Sequence, residues 1–149
     1  AAQFVPVADG RVVFAARGWF VATNTDSDQS VPFYLMPALG GHNSLRAYTD
    51  YRFHDRNLFV INAESRFALF THLDLAAVVD AGNVAAKVSD LDLEKRAYGV
   101  GLRMHSTRST FARLDVAHGT DGWRFLVRTS DPFHLTRLSR RTAAAPYVP

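Results

Sequence analysis

A period-two alternation of apolar and charged residues is the feature that most constrains what this chain can fold into. It is clearest over Leu58–Phe70, where Asn62, Glu64 and Arg66 alternate with apolar or small residues. Successive side chains of a β-strand point to opposite faces of the sheet. The segment therefore predicts a strand with one charged face and one face without charges, which is the pattern of a strand that spans a lipid bilayer.

The same pattern recurs along the chain and predicts an all-β, antiparallel protein. The predicted strands are Arg11–Thr23, Leu58–Phe70, Leu73–Ala81, Ala97–Ser106, Phe111–Gly119 and Trp123–Thr129, with an irregular strand over Val31–Leu39. Thr71-His72 and Thr120–Gly122 predict tight turns, whereas 40–57 and 83–96 predict long polar loops. Short turns that alternate with long loops are typical of a transmembrane β-barrel.

The composition of the chain excludes several kinds of structure and function. The chain has 149 residues, a net charge of +3 and no cysteine, which excludes disulfides and cysteine-based metal sites. No apolar run approaches the roughly 18 residues of a spanning helix. Its 17 lysines and arginines are spread along the strands, so we expect ion pairs on a polar face and no nucleic-acid partner.

Candidate catalytic groups do not form a site. The six histidines lack metal-ligand spacing, and Ser44 has no Gly-x-Ser-x-Gly context. Asp74 and Asp80 are about 20 Å apart along one predicted strand, too far for joint acid–base chemistry. We therefore expect no enzyme activity, no metal and no cofactor.

A soluble sandwich or lipocalin-like binding barrel is the alternative, with the apolar face turned inward. Two features favour lipid. The apolar sets contain many small residues, such as Ala63 and Ala77, and aromatic residues gather near strand ends, as an interfacial girdle requires.

Four motifs occur in one order: LRAY at 45–48, NAESRF at 62–67, VVDAGNV at 78–84 and YGVGLRM at 98–104. Through them, residues 11–133 resemble the Omp85 superfamily, the bacterial surface antigen (D15) and BamA-like barrels. The resemblance implies an antiparallel transmembrane β-barrel of about 16 strands in the bacterial outer membrane.

The resemblance also implies a functional site. Loop 40–57 would fold into the lumen, with Arg46 and Tyr48 near its tip and with Glu64 and Asp80 as the partners of Arg46. Ala47 stands where the motif has glycine. A partly desolvated guanidinium needs charge-assisted partners, which two acids on adjacent strands can supply. The other charges predicted to face the lumen are Arg66, Asp74, Arg103, Arg113, Asp115, Arg124 and Arg128.

The length indicates an incomplete barrel. About seven strands are predicted, whereas a barrel of about 16 strands needs more than about 300 residues. The N-terminus has no signal-peptide pattern, and we expect the C-terminal portion of a larger barrel. Residues 1–133 would supply its strands and 134–149 a C-terminal extension. The remaining strands would lie outside this chain or come from oligomerisation.

Function is inferred from the resemblance. It implies insertion or translocation of proteins at the outer membrane, with client β-barrel proteins pairing along a seam that Trp123–Phe133 would border. A barrel that anchors or exports a fused domain is the alternative. The expected partners are outer-membrane lipids, client proteins and a fused or periplasmic domain.

Overall fold

One antiparallel sheet of seven strands dominates the computed structural model, which describes residues 2–7, 11–23, 31–105 and 110–129. Its order is β1-β2-β5-β6-β7-β8-β9, and β3 and β4 form a separate pair. The strands are β1 Ala2–Val7, β2 Val12–Val21, β3 Ala38–Leu39, β4 Phe53–His54, β5 Asn57–Phe70, β6 Leu73–Ala85, β7 Lys95–His105, β8 Thr110–Gly119 and β9 Gly122–Arg128. The predicted antiparallel, all-β class is confirmed.

Six predicted strands are confirmed, but the boundaries on both sides of one loop were wrong. Strand β6 continues through Gly82 to Ala85, and β7 already begins at Lys95, so the predicted loop 83–96 shrinks to 86–94. Gly82 does not form a turn; it lies within β6, where the backbone of β5 comes close to it. A Cβ there would lie 2.6 Å from the Phe59 carbonyl oxygen of the neighbouring strand.

The N-terminal strand and the loop contain structure that the pattern did not predict. Strand β1 pairs with β2 although Pro6 has no backbone N–H to donate. An edge strand tolerates a proline because one side of it needs no donor. The expected irregular strand over 31–39 is a 3-10 turn at Phe33–Leu35 followed by β3, which pairs with β4. Asn57, predicted to end the loop, is the first residue of β5.

Residues 31–56, called the loop segment below, lie against one face of the seven-stranded sheet, called the covered face. Four of its side chains pack with four from β5, β7 and β8 in a buried apolar cluster: Leu39, Leu45, Ala47, Tyr48, Leu58, Val60, Ala97 and Ala117. Burial of these side chains stabilises the contact between loop and sheet.

The two faces of the sheet are inverted relative to a water-soluble protein. On the exposed face Val100 is 56% and Val127 74% accessible, whereas on the covered face Glu64 and Arg103 are 2% and 0% accessible. A soluble sandwich or lipocalin-like barrel would bury the valines and expose the charges. Contiguous apolar surface of this extent marks an interaction surface. The apolar sets thus lie on the exposed face and the charged sets on the covered face, and the soluble alternative, with the apolar face turned inward, is wrong.

Among the described residues, no helix has the length and apolar character needed to cross a membrane.

Replacing Val100 by arginine should destabilise the protein in lipid. Val100 lies midway along β7 on the exposed face. A charge facing hydrocarbon near the bilayer midplane costs about 2–4 kcal/mol. Urea unfolding from lipid vesicles should show this loss, while Val88→Arg, in the 86–94 connection, should leave stability unchanged. Equal effects of the two substitutions would contradict the lipid-facing assignment.

Candidate functional site

Arg46 lies in the loop segment and reaches the carboxylates of two adjacent strands. Its Nη1 is 3.1 Å from Glu64 Oε2 on β5, and its Nε is 3.4 Å from Asp80 Oδ2 on β6. The Arg46 backbone N–H donates to the same Asp80 oxygen at 3.1 Å. All three side chains are at most 2% exposed. The structure thus brings together the three charged residues that the resemblance grouped.

Glu64 accepts hydrogen bonds from three guanidinium groups. Besides Arg46, it takes two from Arg103, Nε to Oε1 at 2.9 Å and Nη2 to Oε2 at 2.8 Å. Arg66 Nε donates to Oε1 at 2.7 Å. The paired Arg103 contacts are the bidentate geometry that makes arginine–carboxylate pairs strong. Glu64 is therefore the centre of the ionic site.

Asp115 on β8 extends the site. Its Oδ1 is 2.7 Å from Arg103 Nη2 and 4.0 Å from Arg46 Nη1, and its Oδ2 is 3.2 Å from Arg113 Nη2. The arginine–carboxylate cluster consists of Arg46, Arg66, Arg103, Arg113, Glu64, Asp80 and Asp115. Four arginines face three carboxylates, and Arg113 Nε and Nη1 are buried without an acceptor among the described residues. Each carboxylate of the cluster is thus shared among cations or donors.

Small residues make room for the cluster. The cross-strand register places Arg66, Ala76, Gly101 and Asp115 side by side on β5, β6, β7 and β8. The two middle positions carry no side chain beyond Cβ. The long Arg103 side chain can therefore cross over β6 to Glu64.

Asn62 and Arg17 lie beside the cluster and are hydrogen-bonded to each other. The alternation placed Asn62 on the charged face of its strand, but the sequence did not predict these contacts. The Asn62 amide donates to Asp80 Oδ1 at 2.7 Å and to the Ser44 carbonyl at 2.5 Å. Arg17 Nη2 donates to Asn62 Oδ1 at 2.7 Å. Asn62 lies two residues from Glu64 and so shares its face of β5. This spacing is the sequence signal from which a contact of Asn62 with the cluster could have been predicted.

A glycine pair shapes the turn that precedes Arg46. Gly40 and Gly41 have φ of 122° and 84°, conformations that side chains disfavour. The Ser44 hydroxyl closes the turn by accepting from the Gly40 N–H at 2.9 Å and donating to its carbonyl at 2.8 Å. Ala47 is not among the positive-φ residues of the described chain, so alanine replaces the motif's glycine without backbone strain.

Tyr48 attaches the loop to the far strands. Its hydroxyl donates to the Arg96 carbonyl at 3.3 Å and lies 2.9 Å from Thr120 Oγ1. Its ring packs edge-on against Phe53 at a centroid distance of 5.3 Å. The Tyr48 carbonyl accepts a hydrogen bond from Arg124.

The other predicted lumen residues lie on the covered face but outside the cluster. Asp74 pairs with His105, whose Nε2 is 3.1 Å from Asp74 Oδ1. Arg124 and Arg128 contact the loop segment, Arg128 through Asn43 Oδ1 at 2.8 Å. Burial, and then the positive charge of Arg128, lower the pKa of His42, and Asp50 opposes this shift.

The contacts of the cluster are ion pairs and hydrogen bonds between the loop segment and the sheet. No group of three or more potential metal ligands occurs within 2–7, 11–23, 31–105 and 110–129. The carboxylates of the cluster are engaged by arginines or by Asn62. The members of the cluster come from the loop segment and from four strands. The cluster therefore holds the loop segment on the sheet.

Replacing Gly101 by alanine should disturb the cluster. A Cβ at Gly101 would collide with Asp115 Oδ1 and lie 2.5 Å from the Leu114 carbonyl and 2.6 Å from Arg103 Nη1. We expect a loss of about 1–3 kcal/mol in the free energy of unfolding. Gly18→Ala is the matched control, because a Cβ there meets nothing within 4 Å. Equal stability of the two variants would contradict the packing described here.

Comparisons with known proteins give a family match and similar solved structures. The model of the Omp85 superfamily domain matches residues 1–122. Among solved structures, BamA from Haemophilus ducreyi lacking POTRA domains 1-3 is similar, with a TM-score of 0.66 and 17% sequence identity. The match covers 85% of this chain and 33% of that chain, so the chain spans about a third of its length. No curated protein sequence matches.

Proposed function

This chain belongs to the Omp85 superfamily, and on that premise we propose that it is the C-terminal part of a barrel that inserts or translocates proteins at the outer membrane. The protein is an antiparallel outer-membrane β-barrel protein. The observation that carries the proposal is the family match, which extends over residues 1–122. The contacts of the loop segment with the sheet agree with it.

In this proposal the exposed face meets lipid and the covered face lines the lumen. The exposed face carries large apolar side chains: Phe14, Phe20, Phe67, Leu75, Val79, Val100, Leu114, Phe125 and Val127. The charged residues of the covered face would be costly in hydrocarbon, where a lipid-facing arginine costs about 2–4 kcal/mol. A lumen with the loop segment inside it accommodates them.

Strand β9 is the edge at which we expect client strands to pair. Among the residues that the structure describes, β9 is hydrogen-bonded only to β8, so its other edge offers unpaired backbone donors and acceptors. An extended client segment can add to such an edge by β-augmentation. The predicted seam reached Phe133, which lies outside the described residues. Strand β1 is the other edge of the sheet, where the remaining strands of the barrel would continue.

Cross-linking in cells tests the client edge. Single cysteines are introduced at Phe125, Val127 and Thr129, which is straightforward because the chain has no cysteine of its own. Nascent outer-membrane proteins carrying a cysteine in their strands are then expressed, and disulfide adducts are measured. We expect adducts at these positions within and directly after β9.

Ile61 on β5 is the control position, because β5 is paired on both sides, with β2 and β6. A cysteine at Ile61 should give no adduct. If β9 also gives none while the protein is folded in the membrane, insertion is contradicted, and the barrel that anchors or exports a fused domain is then the better explanation.

The expected partners follow from the same proposal. They are outer-membrane lipids at the exposed face, client proteins at β9, and the strands that complete the barrel. A fused or periplasmic domain belongs to the part of the protein outside this chain.

A further inference from the structure

The loop segment is attached to the last two strands as well as to the cluster. Four contacts join it to β9 and to the turn between β8 and β9: Asn43 with Arg128, the Tyr48 carbonyl with Arg124, the Tyr48 hydroxyl with Thr120, and Arg52 with Asp121 at 3.3 Å. None of these contacts involves the carboxylates of the cluster. The loop segment therefore has a second attachment, to the terminal hairpin.

Two of the contacts lie on β9 itself. Arg124 and Arg128 are four residues apart on the covered face, which places them about 13 Å apart along the strand. They hold the strand at two points. Asn43 also accepts a hydrogen bond from Arg17 through its carbonyl. One loop residue thus contacts β2 and β9, which are separated in the sheet by β5 to β8.

Within the part of the chain that the structure describes, strand β9 has few other attachments besides its pairing with β8. Its ladder with β8 spans Gly122 to Arg128. Its outward side chains, Trp123, Phe125 and Val127, are 68–79% exposed and so make few contacts with neighbouring residues. The loop contacts are a large part of what fixes the strand on its covered side.

We propose that Arg124 and Arg128 are positioning residues, through which the docked loop segment fixes β9 and hence the edge that receives client strands. The last step rests on the proposed function, whereas the coupling between loop and strand does not. While Arg46 is bound in the cluster, Asn43 and Tyr48 are presented to the two arginines. Release of the loop segment removes both acceptors and loosens β9 from β8.

Hydrogen exchange of the whole protein in lipid tests the coupling. The variants are Asn43→Ala, Arg128→Gln and the two combined. Each single change removes the same hydrogen bond, so we expect β9 amides to exchange about tenfold faster in either. The combined variant should exchange no faster than the single ones, because contacting residues are not additive. Amides of β5 should be unaffected.

A second pair of variants tests Arg124. Arg124→Gln should speed β9 exchange in the otherwise unchanged protein but have no further effect in an Arg46→Met background, in which we expect the loop segment to be released. Arg96→Gln is the matched control, since the Arg96 side chain donates to the nearby Leu93 carbonyl and not to the loop segment among the described residues. Asn43 is an exposed loop residue, so its substitution does not compromise folding.

Additive effects of Asn43→Ala and Arg128→Gln, or unchanged β9 exchange in both, would overturn the coupling. No client protein is present in this measurement, which separates it from the cross-linking experiment. If β9 exchange responds but clients do not cross-link, the insertion proposal fails and the coupling stands. If clients cross-link and β9 exchange does not respond, only the coupling fails.

Discussion

Replacing Glu64 by glutamine should lower the free energy of unfolding by about 3–5 kcal/mol, the cost of breaking a buried ion pair by removing one partner. Glutamine keeps the shape but removes the charge that Arg46, Arg66 and Arg103 share. The four guanidinium groups of the cluster would then face two carboxylates, Asp80 and Asp115, in a low-dielectric site. Urea unfolding in lipid vesicles, followed by tryptophan fluorescence, measures the loss.

Asp74→Asn is the control for this experiment. Asp74 lies on the same covered face but contacts His105 and takes no part in the cluster. Its substitution should cost no more than about 1.5 kcal/mol, the net contribution of an ordinary hydrogen bond. If both substitutions cost the same, Glu64 is not the centre of the site.

Replacing Arg46 by methionine should release the loop segment while the sheet stays folded. Methionine fills part of the volume, but it removes the guanidinium that is paired with Asp80 and leaves the neutral Asn62 amide as a hydrogen-bond donor to it. An uncompensated buried carboxylate costs about 3–5 kcal/mol, which the protein avoids by exposing the loop to water. Chymotrypsin, acting at Tyr51 and Phe53, should cleave the variant at least about a hundredfold faster, since each 1.4 kcal/mol is a factor of ten.

Arg52→Met is the matched control for release of the loop. Its partner Asp121 is exposed, and an exposed ion pair contributes at most about 1 kcal/mol. Cleavage should therefore change by less than about tenfold. If Arg46→Met is cleaved as slowly as Arg52→Met, the cluster does not hold the loop.

Most of the sheet was predictable, because apolar and polar residues alternate along any strand that has one apolar and one polar face. Strand β1 was missed, since AQFVPV is nearly all apolar and contains Pro6. The end of β6 was missed because Gly82 has the character of a turn residue, although in the structure it allows close approach to β5. A single sequence contains no information on which strand approaches a glycine.

The sequence predicted which residues belong to the site but not which of them contact one another. Arg46, Glu64 and Asp80 were grouped through the resemblance, while Arg103 and Asp115 were predicted only to face the lumen. Their contacts depend on the register across β5 to β8, where Ala76 and Gly101 leave room for Arg103. Register is a tertiary property, and alternation within one strand does not contain it.

Some predictions fall outside the described residues. Phe133, at the end of the predicted seam, and the extension 134–149 are among them. The division of the chain at residue 133 remains a prediction.

Nitroxide accessibility along β9 tests most directly which face meets hydrocarbon. Single cysteines replace Arg124, Phe125, Leu126 and Val127 in turn, each is spin-labelled in lipid, and collisions with oxygen and with a water-soluble nickel chelate are measured. Labels at 125 and 127 should collide mainly with oxygen, which concentrates in hydrocarbon, and labels at 124 and 126 should not. A label at 125 or 127 that instead meets the nickel chelate, with 124 and 126 in oxygen-rich surroundings, would contradict the assignment of the two faces.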